Sequence, residues 1–158
     1  FGYTHCPDVC PVTLSVLKAV KAGIDGQGGG GQSEAAATQP ELKNSQLGSI
    51  PIQYVFVTVD PDRDTPAHMR DYLAYFDPQF IGLHGSKTAL DGLYRQLGVL
   101  ALPGEPDANG SYLVDHTAGV MLIDPKARLL GIFQAPHEPT NVRERFDAIR
   151  AFYMRVAD

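Results

Sequence analysis

Ile52-Gln53-Tyr54-Val55-Phe56-Val57-Thr58-Val59, followed at once by Asp60-Pro61-Asp62-Arg63-Asp64-Thr65-Pro66, decides the fold class. β-Branched and aromatic residues at almost every position suit a strand covered on both faces, as parallel strands are. Thr65-Pro66 then reads as a helix N-cap with proline at the first helical position, and Met69, Leu73 and Phe76 share one face of the helix that follows. The result is a strand, a loop and a helix in immediate succession.

Downstream the pattern repeats. Phe80-Ile81-Gly82-Leu83 is a second short strand, and Ser86 caps a helix striped by Leu90, Leu93, Tyr94 and Leu97 and closed by Gly98. Residues 99–114, with Pro103-Gly104 and Asn109-Gly110, are turn-rich. Strands near 117–123 and 128–134, joined by Asp124-Pro125-Lys126-Ala127, form a hairpin. A last helix over about 140–156 is expected to bury Val142, Phe146, Ile149 and Phe152. Strands alternating with helices, then a closing hairpin and helix, predict an α/β domain with a mixed sheet flanked by helices. A thioredoxin-like fold fits that order, as one domain over 1–158.

Upstream lies Phe1-Gly2-Tyr3-Thr4-His5-Cys6-Pro7-Asp8-Val9-Cys10-Pro11, which holds both cysteines of the chain. Pro11 suits the first position of a helix, here over 11–22 with Gly23 as its stop, which puts Cys10 near the N-cap and Cys6 in the preceding loop. Residues 23–49, rich in glycine, serine and alanine, bury little and read as a flexible insertion, with a recognition loop as the functional alternative. Phe1 to Thr4 reads as the end of a strand. The N-terminal part is therefore expected to be truncated, with any anchor or export signal lying upstream.

The 158 residues carry a formal net charge of -5 and no run of Lys or Arg, which argues against a nucleic-acid partner. No apolar stretch approaches the roughly 18 to 20 residues that cross a bilayer. There is no Walker motif, and the glycines at 28–31 follow no strand, so they make no dinucleotide fingerprint.

Chemistry concentrates in the sulfur pair. A thiol where a strand ends and a helix begins sees unpaired N–H groups that favour thiolate, the form that binds metal or attacks a disulfide. Pro7 and Pro11 restrict the loop, so the sulfurs can reach disulfide distance. His116, in Val114-Asp115-His116-Thr117 just ahead of an apolar strand, supplies an imidazole. Two soft thiolates and an imidazole favour copper, Cu(I) or Cu(II), over structural zinc, which takes four protein ligands.

Three residues between the cysteines, where dithiol exchangers carry two, weigh against a general disulfide-exchange role. A thiol–disulfide oxidoreductase using Cys6 and Cys10 remains the alternative from another class. A peroxidase lacks its Thr/Pro-x-x-Cys setting.

Other candidates have plainer readings. His5 adjoins Cys6, but neighbouring side chains on an extended backbone point apart, so it reads as structural or supporting. His68, His84 and His137 read as surface or packing residues. Asp60, Asp62, Arg63 and Asp64 suggest capping and salt bridging rather than a hard-metal loop. Asp115 either orients His116 or ends a turn. Met69, Met121 and Met154 lie in apolar stripes and read as packing.

The cysteine stretch, then Val59-Asp60-Pro61-Asp62-Arg63-Asp64-Thr65-Pro66, then Val114-Asp115-His116 with Leu122-Ile123-Asp124-Pro125, resemble the SCO/SenC family in residues and order, over 1–22 and about 51–156. The resemblance implies a thioredoxin-like copper chaperone for assembly of cytochrome c oxidase, with Cys6, Cys10 and His116 as copper ligands. The same cysteines would serve the thiol-redox role proposed for the family.

It further implies a copper-bearing oxidase subunit, or another copper protein, as partner. The expected location is the periplasmic side of a bacterial inner membrane, reached through an N-terminal tether, or else the mitochondrial intermembrane space. A monomer is expected. Val12 stands where the family favours Thr, Met121 where it favours an aromatic, and the insertion is long. The family's N-terminal hairpin and full first strand are expected to belong before Phe1.

Overall fold

The structure is a computed structural model that describes residues 1–26 and 51–156. Expectations for 27–49, including most of the insertion, lie outside the described residues. The elements follow in the order α1 (Val9–Gly26), β1 (Val55–Val57), α2 (Pro66–Phe76), β2 (Ile81–Leu83), α3 (Lys87–Leu97), β3 (Ala101–Pro103), β4 (Val114–His116), β5 (Gly119–Ile123), β6 (Leu129–Gln134) and α4 (Pro139–Val156).

The 52–59 run pairs over less of its length than its composition suggests. β1 covers three residues, parallel to β2 with Val55 opposite Ile81 and Val57 opposite Leu83. On its other side Gly2 bridges Thr58 in parallel, through Gly2 N–H to Val57 C=O (3.0 Å) and Val59 N–H to Gly2 C=O (2.8 Å). Phe1 to Tyr3 thus lies beside β1, and the chain then turns into α1.

α1 begins two residues earlier than Pro11 suggests and continues past Gly23 to Gly26. Proline fits the third helical position as well as the first, because the opening turn's N–H groups have no intrahelical acceptor. Gly23 fails to stop the helix because Ile24, one residue on, packs against the cluster of Val16, Val20, Phe133, Val142 and Phe146.

The caps of α2 and α3 are where expected. Thr65 accepts from His68 N–H (3.2 Å) and Ser86 from Ala89 N–H (3.3 Å), and Gly98 closes α3 in the left-handed region at φ 68°. Met69, Leu73 and Phe76 are buried in one cluster with Leu14, Phe56 and Phe80, with Met69 and Leu73 against Gly82 of β2. A fully buried side chain of this size contributes about 1.5–3 kcal/mol, so the α2 stripe is the principal anchor of the first half.

Two features depart from the sequence reading. The turn-rich 99–114 region contains an antiparallel ladder, β3 with β4, in which Ala101 faces His116 and Pro103 faces Val114. Three-residue strands bounded by Pro and Gly leave too little periodicity to detect. Phe152 is 60 % exposed rather than buried, since α4 turns its later turns away while Val142 and Phe146 carry the contact.

The sheet is mixed in that parallel and antiparallel pairs both occur, yet they form three separate two-stranded ladders, with β5 and β6 as the closing hairpin. An apolar cavity of about 760 Å³, lined by β1 and β5 and by Leu14, Leu17, Phe56, Phe133 and Phe146, lies between the first pair and that hairpin. Cys10 and His116 are among its lining residues. Among the described residues no helix is long and apolar enough to cross a membrane.

Candidate metal centre

Cys6 precedes α1 and Cys10 sits in its first turn, so helix N–H groups converge on one sulfur: Cys10 N–H lies 3.5 Å from Cys6 Sγ. Burial pushes the Cys6 thiol up, but the N–H groups of Asp8, Cys10 and Val9 and the Cys10 side chain outweigh it, and the thiol titrates below its ordinary value. Cys10 goes the other way. Its side chain enters the core beside Tyr3, Val57, Val59 and Val114, and burial first, then the neighbouring Cys6, pushes it up to about 12. The expectation that a helix start would favour thiolate at both positions is corrected: the effect reaches Cys6 alone. Both cysteines are free.

His116, the last residue of β4, brings Nε2 to 3.7 Å from Cys10 Sγ across 106 positions of sequence. Its Nδ1 is 3.1 Å from Thr117 C=O. A carbonyl only accepts, so Nδ1 carries the proton and the Nε2 lone pair faces the sulfur. Burial lowers the imidazole's pKa against the opposing pull of the Thr117 carbonyl, which favours the neutral ring that can bind a metal. Asp115, on the opposite face of the ladder, is exposed; the partner at Nδ1 is the Thr117 carbonyl.

Hydrogen bonds place Cys6 against Cys10 and Cys10 against His116. Among the described residues no three His, Cys, Asp or Glu side chains are gathered closely enough to hold a metal ion together.

The loop is braced from beneath by residues the sequence did not single out for this task. Asp64, without exposed surface, accepts from Thr4 N–H (3.1 and 3.2 Å), from the Thr4 hydroxyl (2.5 Å) and from the Thr58 hydroxyl (2.7 Å). Asp60 accepts from the Tyr112 hydroxyl (2.8 Å) and pairs with Arg63 Nε. The Arg63 guanidinium lies 3.6 Å over Tyr112 and 5.8 Å from Tyr3, whose ring meets His116 edge-on at 6.0 Å. These carboxylates thus serve structure, as their salt-bridging reading expects. Capping falls to Thr65. For Thr4 and Tyr112 no local sequence signal exists, because their partners are 60 and 52 residues away.

His84 bonds Pro61 C=O (3.2 Å), and His137 joins Thr13 (3.4 Å) to Phe133 C=O (2.9 Å). His5 and His68 face each other with ring centres 5.5 Å apart. Met69 and Met121 pack in the core clusters.

A dithiol loop between a strand end and a helix start, in an α/β frame with flanking helices, defines the thioredoxin-like class. The structure is similar to copper-bound ScoI of Arabidopsis thaliana (TM-score 0.78, 27 % identity, 97 % of this chain and 82 % of that one). It is also similar to copper-bound ScoI of Bradyrhizobium japonicum (TM-score 0.70, 31 % identity, 94 % of this chain and 81 % of that one).

The SCO1/SenC family model matches residues 1–151, and the chain belongs to that family. Relatives include a putative copper-binding protein of Stutzerimonas stutzeri, 34 % identical over 86 % of this chain and 56 % of that protein. Another is the mitochondrial SCO1 homolog of Homo sapiens, 34 % identical over 84 % of this chain and 38 % of that protein. The chain spans about half the length of the curated relatives it matches. A SCO1/SenC family lipoprotein of Bacillus anthracis, at 17 % identity and TM-score 0.65, shares the fold.

Proposed function

We propose that this protein carries copper as cargo on Cys6, Cys10 and His116, and yields it by ligand exchange to a copper site on a partner, the copper-bearing subunit of cytochrome c oxidase. The observation that carries this reading is the 3.7 Å approach of His116 Nε2, lone pair inward, to Cys10 Sγ. With a metal–sulfur bond of about 2.3 Å and a metal–nitrogen bond of about 2.0 Å, that separation corresponds to a bond angle of about 119° at a shared ion. Two thiolates and one imidazole suit Cu(I), which accepts three ligands and is held by soft donors.

Cys6, the thiol that ionises more readily, completes the set by turning its sulfur toward the same point. Each bond from copper to this chain is replaced by one to a donor of the partner, and the released thiolates take back protons, so the transfer needs no change of oxidation state. Mitochondrial proteins and a lipoprotein among the relatives support a place of work at a membrane face, the bacterial periplasm or the intermembrane space.

His116→Ala tests the reading. In chelator competition the reduced variant is expected to lose Cu(I) affinity by at least about tenfold, while its dithiol still oxidises. Unchanged affinity would remove His116 from the ligand set.

A second reading, a thiol–disulfide oxidoreductase acting on cysteines of a partner, is favoured by one observation: adjacent free thiols with opposite titration shifts, a half-buried attacker before a buried resolver. It requires Cys6 and Cys10 but not His116. Full reductase activity in His116→Ala together with copper affinity unchanged in Cys6→Ser would select it.

A further inference from the structure

We propose that His5 and His68 form a second, solvent-facing metal site, a two-imidazole clamp for a divalent ion such as Cu(II), one residue from the Cys6 thiol. Both rings are accessible, His5 with 46 % of its side chain exposed and His68 exposed on α2, and their rings meet each other. His68 lies in the first turn of α2, where its own N–H is tied to the Thr65 cap (3.2 Å). The two rings therefore come from separate, individually anchored segments.

The tautomer of His5 follows from its neighbours. Its Nδ1 lies 3.1 Å from Thr4 Oγ1, and that hydroxyl already gives its proton to Asp64 Oδ1 at 2.5 Å. Thr4 Oγ1 can then only accept, so Nδ1 is the protonated nitrogen and Nε2 presents a bare lone pair. A carboxylate, a hydroxyl and an imidazole in series do here what a carboxylate behind a metal-binding histidine does elsewhere: they fix the tautomer and hold the ring. Asp64 has no exposed side-chain surface and is bound on its other oxygen by Thr58 (2.7 Å), which makes it a rigid base.

The spacing also fits. Imidazole nitrogens bind such ions at about 2.0 to 2.1 Å, which puts each ring centre about 3.2 Å from the metal. Two centres 5.5 Å apart then subtend an angle of about 120° at a shared ion. Water fills the remaining positions. Among divalent first-row ions, nitrogen donors hold Cu(II) most tightly. The clamp binds a divalent ion whether or not the carrier reading above holds.

The test uses the chain with Cys6→Ser, Cys10→Ser and His116→Ala, titrated with Cu(II) alone and followed by pulsed electron paramagnetic resonance. One equivalent is expected, with coupling from two imidazole nitrogens. Adding His5→Gln or His68→Gln should weaken binding by at least about tenfold and leave one coupled imidazole, whereas His84→Gln should change neither.

Should the triple variant fail to fold, the disulfide-oxidised chain with native residues, which has no thiolate to offer, takes its place with the same His5 and His68 variants. Binding that survives both glutamine substitutions, or that His84→Gln removes, overturns the proposal. Neither outcome touches the Cu(I) affinity that His116→Ala reports, so the two readings fail separately.

Discussion

Asp64 grips Thr4 through both its N–H and its hydroxyl across 60 residues of sequence. The contact joins the loop after β1 to the turn before Cys6, and Asp64 itself is fully buried.

Asp64→Ala should therefore cost more than an ordinary loop substitution. It leaves the Thr4 N–H and the Thr4 and Thr58 hydroxyls without their acceptor, at about 1–3 kcal/mol for a buried donor stranded in this way. A loss of at least about 2 kcal/mol is expected in urea denaturation, together with weaker Cu(I) binding as the cysteine loop loosens. Asp64→Asn, which keeps one accepting oxygen, should fall between.

The two thiols should react at different rates. Cys6 titrates below and Cys10 far above the ordinary thiol value, so in the reduced protein near pH 8 the thiolate resides on Cys6. Iodoacetamide labelling followed by peptide mass mapping is expected to modify Cys6 first, and in Cys6→Ser the remaining thiol should stay slow until strongly alkaline pH. Equal rates at both positions would contradict the assignment of the helix N–H groups to Cys6.

Gly2→Ala probes the packing behind the sulfur. A Cβ at Gly2 would lie 2.9 Å from Cys10 Sγ and 2.8 Å from Phe56 Cε2, closer than such atoms approach, so the thiol or the ring must move. Destabilisation of about 1–3 kcal/mol is expected from the overpacking. Copper affinity should also fall, because the sulfur is displaced from His116.

The β5–β6 hairpin provides a pH handle remote from the site. Asp124 accepts from the N–H groups of Lys126 (2.9 Å) and Arg128 (2.8 Å) and from Arg128 Nε (2.7 Å). Burial pushes its carboxyl up, but these bonds outweigh burial and hold it below the usual carboxylate range. A depressed folded-state pKa stabilises above the unfolded value of about 3.9 and ceases to do so as pH falls through the folded one. Asp124→Ala should thus lower the melting temperature at neutral pH and flatten the acid limb of the stability curve.

Local chemistry made much of the frame legible. Thr65 with Pro66, Ser86 and Gly98 bound their helices because caps and left-handed stops act within a few residues. The stripe of Met69, Leu73 and Phe76 is buried as its period predicts. The β3–β4 ladder escaped notice because three-residue strands carry too few alternations to signal a period.

The sequence by itself determined which atoms are available: two thiols on one short loop, and an imidazole whose neighbours do not disclose its direction. Tertiary structure alone decided that Cys10 points inward and Cys6 toward the helix N–H groups, that His116 turns its unprotonated nitrogen to the sulfur, and that Asp64 reaches Thr4. The reason is range. Capping, turn chemistry and periodicity depend on residues a few positions apart, whereas burial, tautomer and metal geometry depend on groups that only folding brings within 4 Å of one another.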